Sequence, residues 1–190
     1  MRIWYGSMAK SALASNPLRK LRKAANMTIE ELSVAVDVST KTLYLAEHGV
    51  YNLPLEAVVH YFTRLKDIDV DALNTEYSDF RRKMRANLAN RIDESQWRFE
   101  IPKAQVNTFR TPMGTKMAPI RDFRLNSLMF TQTEFEKEFL VNPGLLTRLE
   151  AGRDFRSVPN PIAAALIECG APENFMRELN VRTKLFHGTN

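Results

Sequence analysis

Between Met27 and Gly49 the apolar positions follow two short helical periods separated by a break. Leu32, Ala35 and Val36 fall at i, i+3 and i+4, so they share one face of a helix. The stretch T28-I-E-E31 opens that helix as a capping box, in which Thr28 accepts the Glu31 amide and the Glu31 carboxylate accepts the Thr28 amide. Asp37 tolerates a left-handed backbone better than most residues, so the helix is expected to end and turn there. Ser39 then serves as N-cap for TKTLYLAEH, with Leu43 and Ala46 inward and Gly49 as the C-terminal stop. A basic helical segment, LRKLRKAAN, precedes this pair, and LEAVVHYFTRL follows Pro54.

The pattern occurs twice. FTQTEFEKEFLVNPGLLTRLEAG, from Phe130 to Gly152, aligns with the first stretch without a gap. Thr28 falls on Thr131, Val38 on Val141, Leu43 on Leu146, Glu47 on Glu150 and Gly49 on Gly152. T131-Q-T-E134 is a second capping box, and Asn142 is an N-cap with Pro143 at the first helical position. Three positions depart. Glu138 replaces the small Ala35, where two helices are expected to pack; Gly144 replaces Lys41; and Leu140 replaces Asp37. Leucine suits positive φ poorly, so an altered turn is expected there.

Between the copies, Phe80, Met84, Leu88 and Ile92 recur at i+4 steps and predict an amphipathic helix over 79–92, with Arg81, Arg82, Arg85 and Arg91 on its other faces. Its apolar stripe is a candidate for core or for a dimer seam, as is the C-terminal FMRELNVRTKLF. W97-R-F-E-I101 alternates as a short strand would. Pro102 ends it, and NTFRTPMGTKMAP reads as a loop. The expected architecture is mainly all-α. Residues 1–78 form an N-terminal domain with a basic arm, 79–118 a basic linker helix and loop, and 119–190 a degenerate second copy. A dozen extended residues at about 3.3 Å each would span one DNA turn of about 34 Å.

Composition narrows the class. The 190 residues are 44% hydrophobic and 26% charged, near globular averages, which excludes a disordered or fibrous chain. Cys169 has no partner for a disulfide and sits in the apolar run IAAALIEC, so a buried small hydrophobe in a reducing compartment is expected. No run approaches about 18 consecutive apolar residues, and MRIWYGSMAKSALAS lacks an apolar signal core, so a cytoplasmic location without membrane insertion is expected. The net charge of +5 is unevenly placed: Arg2, Lys10, Arg19, Lys20, Arg22 and Lys23 all precede the first acidic residue, Glu30. Such patches suit a polyanionic partner, although a solvated charged face would look the same. His48, His60 and His187 lack metal-ligand spacing, and no phosphate-binding glycine loop or nucleophile motif occurs. No enzyme, cofactor or metal is therefore expected.

Residues 16–66 resemble the lambda-repressor and Cro family of helix-turn-helix DNA-binding domains. The resemblance rests on Leu21 to Ala24, Thr28, Glu30 to Leu32, Val38 and Ser39, Thr42, and Glu47 to Gly49. It implies two tandem domains of that fold, the second degenerate, and a second helix of each pair that enters the major groove of double-stranded DNA. Carried over by position, Thr40, Lys41, Tyr44 and Leu45 would read bases, while Ser39 and Thr42 would serve caps or phosphates. The resemblance also pairs Arg22 with Glu47, and Arg124 with Glu150 if one residue is inserted in the first helix of the second copy. Ile29 stands where the family favours a phosphate-binding glutamine. Phosphate contact in this unit would then fall to Lys20, Lys23, His48 or backbone amides, and the linker residues Arg81, Arg82 and Arg85 are further candidates for phosphate. In the second copy Gln132 restores that glutamine, and Asn142, Thr147, Arg148, Arg153 and Arg156 complete the candidates. The expected function is a sequence-specific transcriptional regulator of phage or plasmid repressor type, acting as a monomer or homodimer. The alternative is an adaptor or antirepressor whose second unit grips a protein.

Overall fold

A computed structural model of the chain describes residues 16–51 and 54–188, so Arg2, Lys10 and the segment read for a signal core lie outside the described residues. The described residues form ten α-helices and no strand. None of these helices is long and apolar enough to cross a membrane. The chain divides after Met84 into two compact units.

In the first unit the helices are α1 (Pro17–Ala24), α2 (Ile29–Val36), α3 (Thr40–Glu47), α4 (Glu56–Leu65) and α5 (Val70–Ala89). The last helix runs on past Met84 into the second unit. Leu18, Leu32, Leu43, Ala46, Val58, Phe62 and Tyr77 form the first core. Tyr77 brings a hydroxyl into that core and donates it to the Ala46 carbonyl at 3.0 Å. Its polar end is thus satisfied and the ring can be fully buried.

The second unit contains α6 (Pro119–Asp122, extended by a π-helical turn over Phe123–Ser127), α7 (Gln132–Glu138), α8 (Pro143–Glu150), α9 (Asn160–Glu168) and α10 (Glu173–His187). Its core gathers Phe123, Phe135, Phe139, Leu146, Leu149, Ile162, Leu166 and Leu179. Cys169 is fully buried there, and burial pushes its thiol up to about 12, as suits a small hydrophobe.

The internal geometry of the two units repeats. In the first, Arg22 Nε and Nη2 donate to the Glu47 carboxylate at 2.5 and 2.8 Å, and Nη1 donates to the Met27 carbonyl at 2.9 Å. In the second, Arg124 donates to Glu150 at 2.7 and 2.9 Å and to the Phe130 carbonyl at 2.8 Å. Arg22 lies five residues before its carbonyl partner and Arg124 lies six before its own. The π-helical turn absorbs the extra residue, with the Leu128 amide reaching back five residues to the Phe123 carbonyl.

Both turns are the same as well. Asp37 has φ 52° and Leu140 has φ 53°, so the altered turn expected at Leu140 does not occur. A left-handed leucine costs about 1–2 kcal/mol, but Leu140 is only 2% exposed and burial of such a side chain returns about 1.5–3 kcal/mol. Ala35 is exposed and not packed between helices, so Glu138 disturbs nothing at the equivalent place and pairs with Arg91 at 3.1 Å. Both α3 and α8 end at a left-handed glycine. A β-carbon on Gly49 would lie 2.8 Å from the Phe80 ring, and one on Gly152 would lie 2.9 Å from the Phe186 ring. Only glycine fits both the backbone and the space.

Three further expectations differ from the structure. Residues 85–118 are not a separate linker, because Leu88, Trp97, Phe99 and Val106 pack in the second core. The alternation at Trp97–Ile101 reflects sided burial without a strand. No neighbouring strand pairs with it, and side chains satisfy its backbone instead: Asp122 accepts the Ile101 amide, Arg182 donates to the Ile101 carbonyl, and Ser127 donates to the Arg98 carbonyl. The candidate dimer seams are core, since Phe80, Leu88, Phe175, Met176, Leu179 and Phe186 are all buried within the chain.

Removing either buried carboxylate leaves a guanidinium without its counter-charge, so Glu47→Ala and Glu150→Ala should each destabilise by about 3–5 kcal/mol. Urea unfolding monitored by circular dichroism reads this, and a loss below 1 kcal/mol would rule out a tie of this kind. The two turns should respond oppositely to glycine. Asp37→Gly, at an exposed side chain, should change stability by under about 1 kcal/mol. Leu140→Gly should lose about 1–3 kcal/mol net, since the vacated cavity outweighs the relieved backbone.

Candidate nucleic-acid interface

The candidate surface is built around the N-terminal half of α3. Ser39 Oγ accepts the Thr42 amide at 3.1 Å and lies 2.8 Å from the Thr42 hydroxyl. These two side chains therefore satisfy each other and the helix start, and they fix where α3 begins. The next two, Thr40 and Lys41, are exposed and make no side-chain hydrogen bond or ion pair among the described residues. Tyr44, one turn on, is 41% exposed and packs against His48 in a tilted pair with ring centroids 3.9 Å apart. A His48 ring nitrogen meets the Tyr44 carbonyl at 2.7 Å. The aromatic pair therefore has a fixed direction on the outer face of α3.

Leu45 is not on that face. It is 8% exposed and belongs to the buried side of the helix, which corrects its placement among the base readers. Lys20 and Lys23 are exposed on α1.

The three linker arginines separate by chemistry. Arg81 donates to the Gly49 carbonyl at 2.8 Å, so it closes the end of α3 and is not an open phosphate arm. Arg82 is exposed and paired with Asp79 at 2.7 Å. Arg85 is 6% exposed, donates to the Phe139 carbonyl and is ion-paired with Glu168. A buried, paired guanidinium cannot reach a phosphate, so Arg85 is removed from the candidates.

The equivalent face of the second unit is differently furnished. Gly144 stands where Lys41 stands, and the Asn142 side chain is used in capping its amide at 2.9 Å. Gln132 Nε2 donates to the Thr147 hydroxyl at 2.6 Å and to Glu136 at 3.0 Å, so Gln132 and Thr147 hold each other. Arg148 is drawn to Asp154 at 2.9 Å and lies over the Phe155 ring, 5.2 Å from its centroid. Arg153 and Arg156 are exposed. Asp154 and Phe155, which the reading from sequence omits, thus decide what Arg148 can do. Their signal was faint: an acid six residues after a cation lies outside the helical spacings that suggest pairing.

No family model, curated protein or solved structure matches the chain. The geometry therefore has to carry the functional argument.

The starts of α2 and α7 are pH-sensitive in a defined direction. The Thr28 and Thr131 amides donate to Glu31 and Glu134 at 2.7 Å, which holds both carboxyls below their usual range. A lowered carboxyl contributes stability above its unfolded-state value and loses it as pH falls through its folded-state value. Glu134→Gln keeps the box but removes the charge, so it should be slightly less stable than wild type at pH 7. That difference should shrink as pH falls below the usual carboxylate range and through the lowered folded-state value. Thermal unfolding followed across a series of acidic pH values checks it, and a gap that does not narrow in acid would contradict the assignment.

Proposed function

We propose that the protein is a sequence-specific regulator that binds double-stranded DNA, with two lambda-repressor-like helix-turn-helix units of which the first is the reader. The observation that carries this reading is the exposed N-terminal face of α3. There Thr40 and Lys41 are unengaged while their neighbours Ser39 and Thr42 hold the helix start. A helix of this kind presents its first turn to base edges in the major groove. Lys41 would donate to guanine O6 or N7, and Thr40 would meet a base edge or a thymine methyl. Lys20 and Lys23 would supply phosphate contacts, which set affinity and salt dependence without specifying sequence. Occupying a promoter-like site would then repress transcription, the regulatory sign that a phage or plasmid repressor would have.

A second reading applies to the second unit alone. Its equivalent face holds glycine at 144, a Gln132–Thr147 bond and a neutralised Arg148. Those features favour a protein-facing or purely structural role for that face, as in an adaptor, over base reading.

The experiment is selection of the purified full chain against random duplex DNA, followed by binding titrations at several salt concentrations. One enriched half-site that loses discrimination in Lys41→Ala supports a single reading unit. Discrimination at the Lys41 position is expected to fall by about 1–3 kcal/mol. Lys20→Gln and Lys23→Gln should instead weaken binding to all sequences and reduce the salt slope by about 0.9 each. Absence of enrichment over non-specific binding would overturn the proposal and favour the protein-binding reading.

A further inference from the structure

Beside the loop that follows α8, the second unit has a cavity of about 440 Å³ lined by Arg156, Lys184, His187 and Gly188. Of the four described residues that line it, three carry cationic or protonatable side chains and none carries a carboxylate side chain. Several other arginines of this unit are ion-paired: Arg148 with Asp154, Arg177 with Glu173, Arg182 with Glu178. Arg156 and Lys184 have no ion pair among the described residues and are exposed. Like charges gathered around a concavity raise the local potential and concentrate an anion there.

His187 supplies the second, independent observation. Burial holds the His187 imidazole below its usual range, against a hydrogen bond with the Gly152 backbone that raises it, and Nε2 is buried without a hydrogen-bond partner among the described residues. A buried ring nitrogen left unpaired is unfavourable, and an anion held beside the ring would oppose the effect of burial and favour the protonated form, in which Nε2 can donate. The Gly152 bond restrains the ring, as an outer hydrogen bond fixes a binding histidine.

Lys184 and His187 lie one turn apart at the end of α10, and Arg156 approaches from the loop, so the donors come from two elements around one space. A planar guanidinium and an ammonium together suit a tetrahedral oxyanion, the first as a fork and the second as a point charge. The C-terminal end of α10 disfavours an anion by itself, and three donors act against that weaker effect. A groove lined by Asn107, Val181, Leu185 and the same Lys184 and Gly188 adjoins the cavity, so a ligand with an apolar portion beyond its anionic end could be accommodated.

We propose that this cavity binds a phosphate-type oxyanion through Arg156, Lys184 and His187. It lies at the opposite end of α8 from Asn142 and Gly144, about 12 Å away along an eight-residue helix. The site is therefore separate from the face on which a groove-reading helix would present its first turn, and its existence does not depend on either unit reading bases.

The test titrates the full chain with inorganic phosphate, with glycerol 3-phosphate and with a short DNA duplex, all at constant ionic strength. The imidazole resonances of His187 are followed by NMR and assigned with His187→Gln. A saturable shift of His187 by inorganic phosphate is expected, with binding roughly tenfold weaker in Arg156→Gln and in Lys184→Gln. Both side chains are exposed, so the variants should melt with the wild type, and a melting scan confirms that lost binding is not lost folding. If the duplex also shifts His187 and Lys184→Gln weakens that response, the oxyanion comes from a nucleic-acid backbone. If only the two small phosphates do so, the site takes a free phosphate monoester. No shift of His187 with any of the three, or equal phosphate binding by wild type and both variants, would overturn the proposal.

Discussion

The buried pair of Arg22 and Glu47 is the constraint from which the rest of the first unit follows. Two charges removed from water cost several kcal/mol each unless both are matched in geometry and hydrogen-bonded in full. Here the fork of the guanidinium meets both carboxylate oxygens, and its remaining donor meets the Met27 carbonyl. That third bond is what makes the pair an organising element. It fixes the loop between α1 and α2, so the capping box at Thr28 begins at a set distance from α1. The pairing also raises the Arg22 guanidinium further above its ordinary range, against burial that lowers it, so the charge persists at any pH at which the chain folds. With α1 and α3 tied at their ends, the start of α3 is presented on a rigid base, which a reading surface needs.

The second unit shows what such a tie tolerates. One residue is added between Arg124 and Phe130, yet all three guanidinium bonds recur within 0.2 Å of those in the first unit. The backbone took up the insertion as a π-helical turn, because lengthening the helix by one residue in regular α form would have rotated Arg124 about 100° away from its partner. A rotated guanidinium would have been buried unpaired. The weaker backbone geometry of a single π turn is the lesser cost.

Much of this was legible in the sequence, and the parts that were not share a cause. Both capping boxes, the left-handed Asp37 and the glycine stops depend on residue type at fixed local spacing, whereas the Arg124 pairing, 26 residues apart, was expected only from the family resemblance. These local signals survive reading one residue at a time. The turn at Leu140 was misjudged because its intrinsic strain is local, whereas the burial that offsets it is tertiary. Arg85 was misjudged for the same reason: it continues a run of exposed-looking basic residues, and only Phe139 and Glu168, far along the chain, turn it inward. The strand expected at Trp97–Ile101 failed differently, since period-two burial is real there but its hydrogen-bond partners are side chains from Asp122, Ser127 and Arg182.

The two units therefore separate scaffold from surface. The ion pair, the αL turn and the glycine stop are equivalent, so folding alone does not require the outer residues to differ, and they do. Lys41 becomes Gly144, and Tyr44 becomes Thr147, which is held by Gln132. Leu45, buried in the first unit, becomes Arg148, which the loop that follows engages through Asp154 and Phe155. Neither a glycine nor a hydroxyl already engaged by its neighbour can donate to a base edge with the reach of a lysine. An arginine held both by a carboxylate and by an aromatic face would have to give up both before it reached one. Equivalent helix pairs consequently differ in chemical capacity, and the asymmetry lies in side chains whose replacement the shared scaffold accommodates. Any interaction that uses both units must therefore ask different things of each: unengaged donors from α3, and from the second unit a surface whose polar groups largely answer one another.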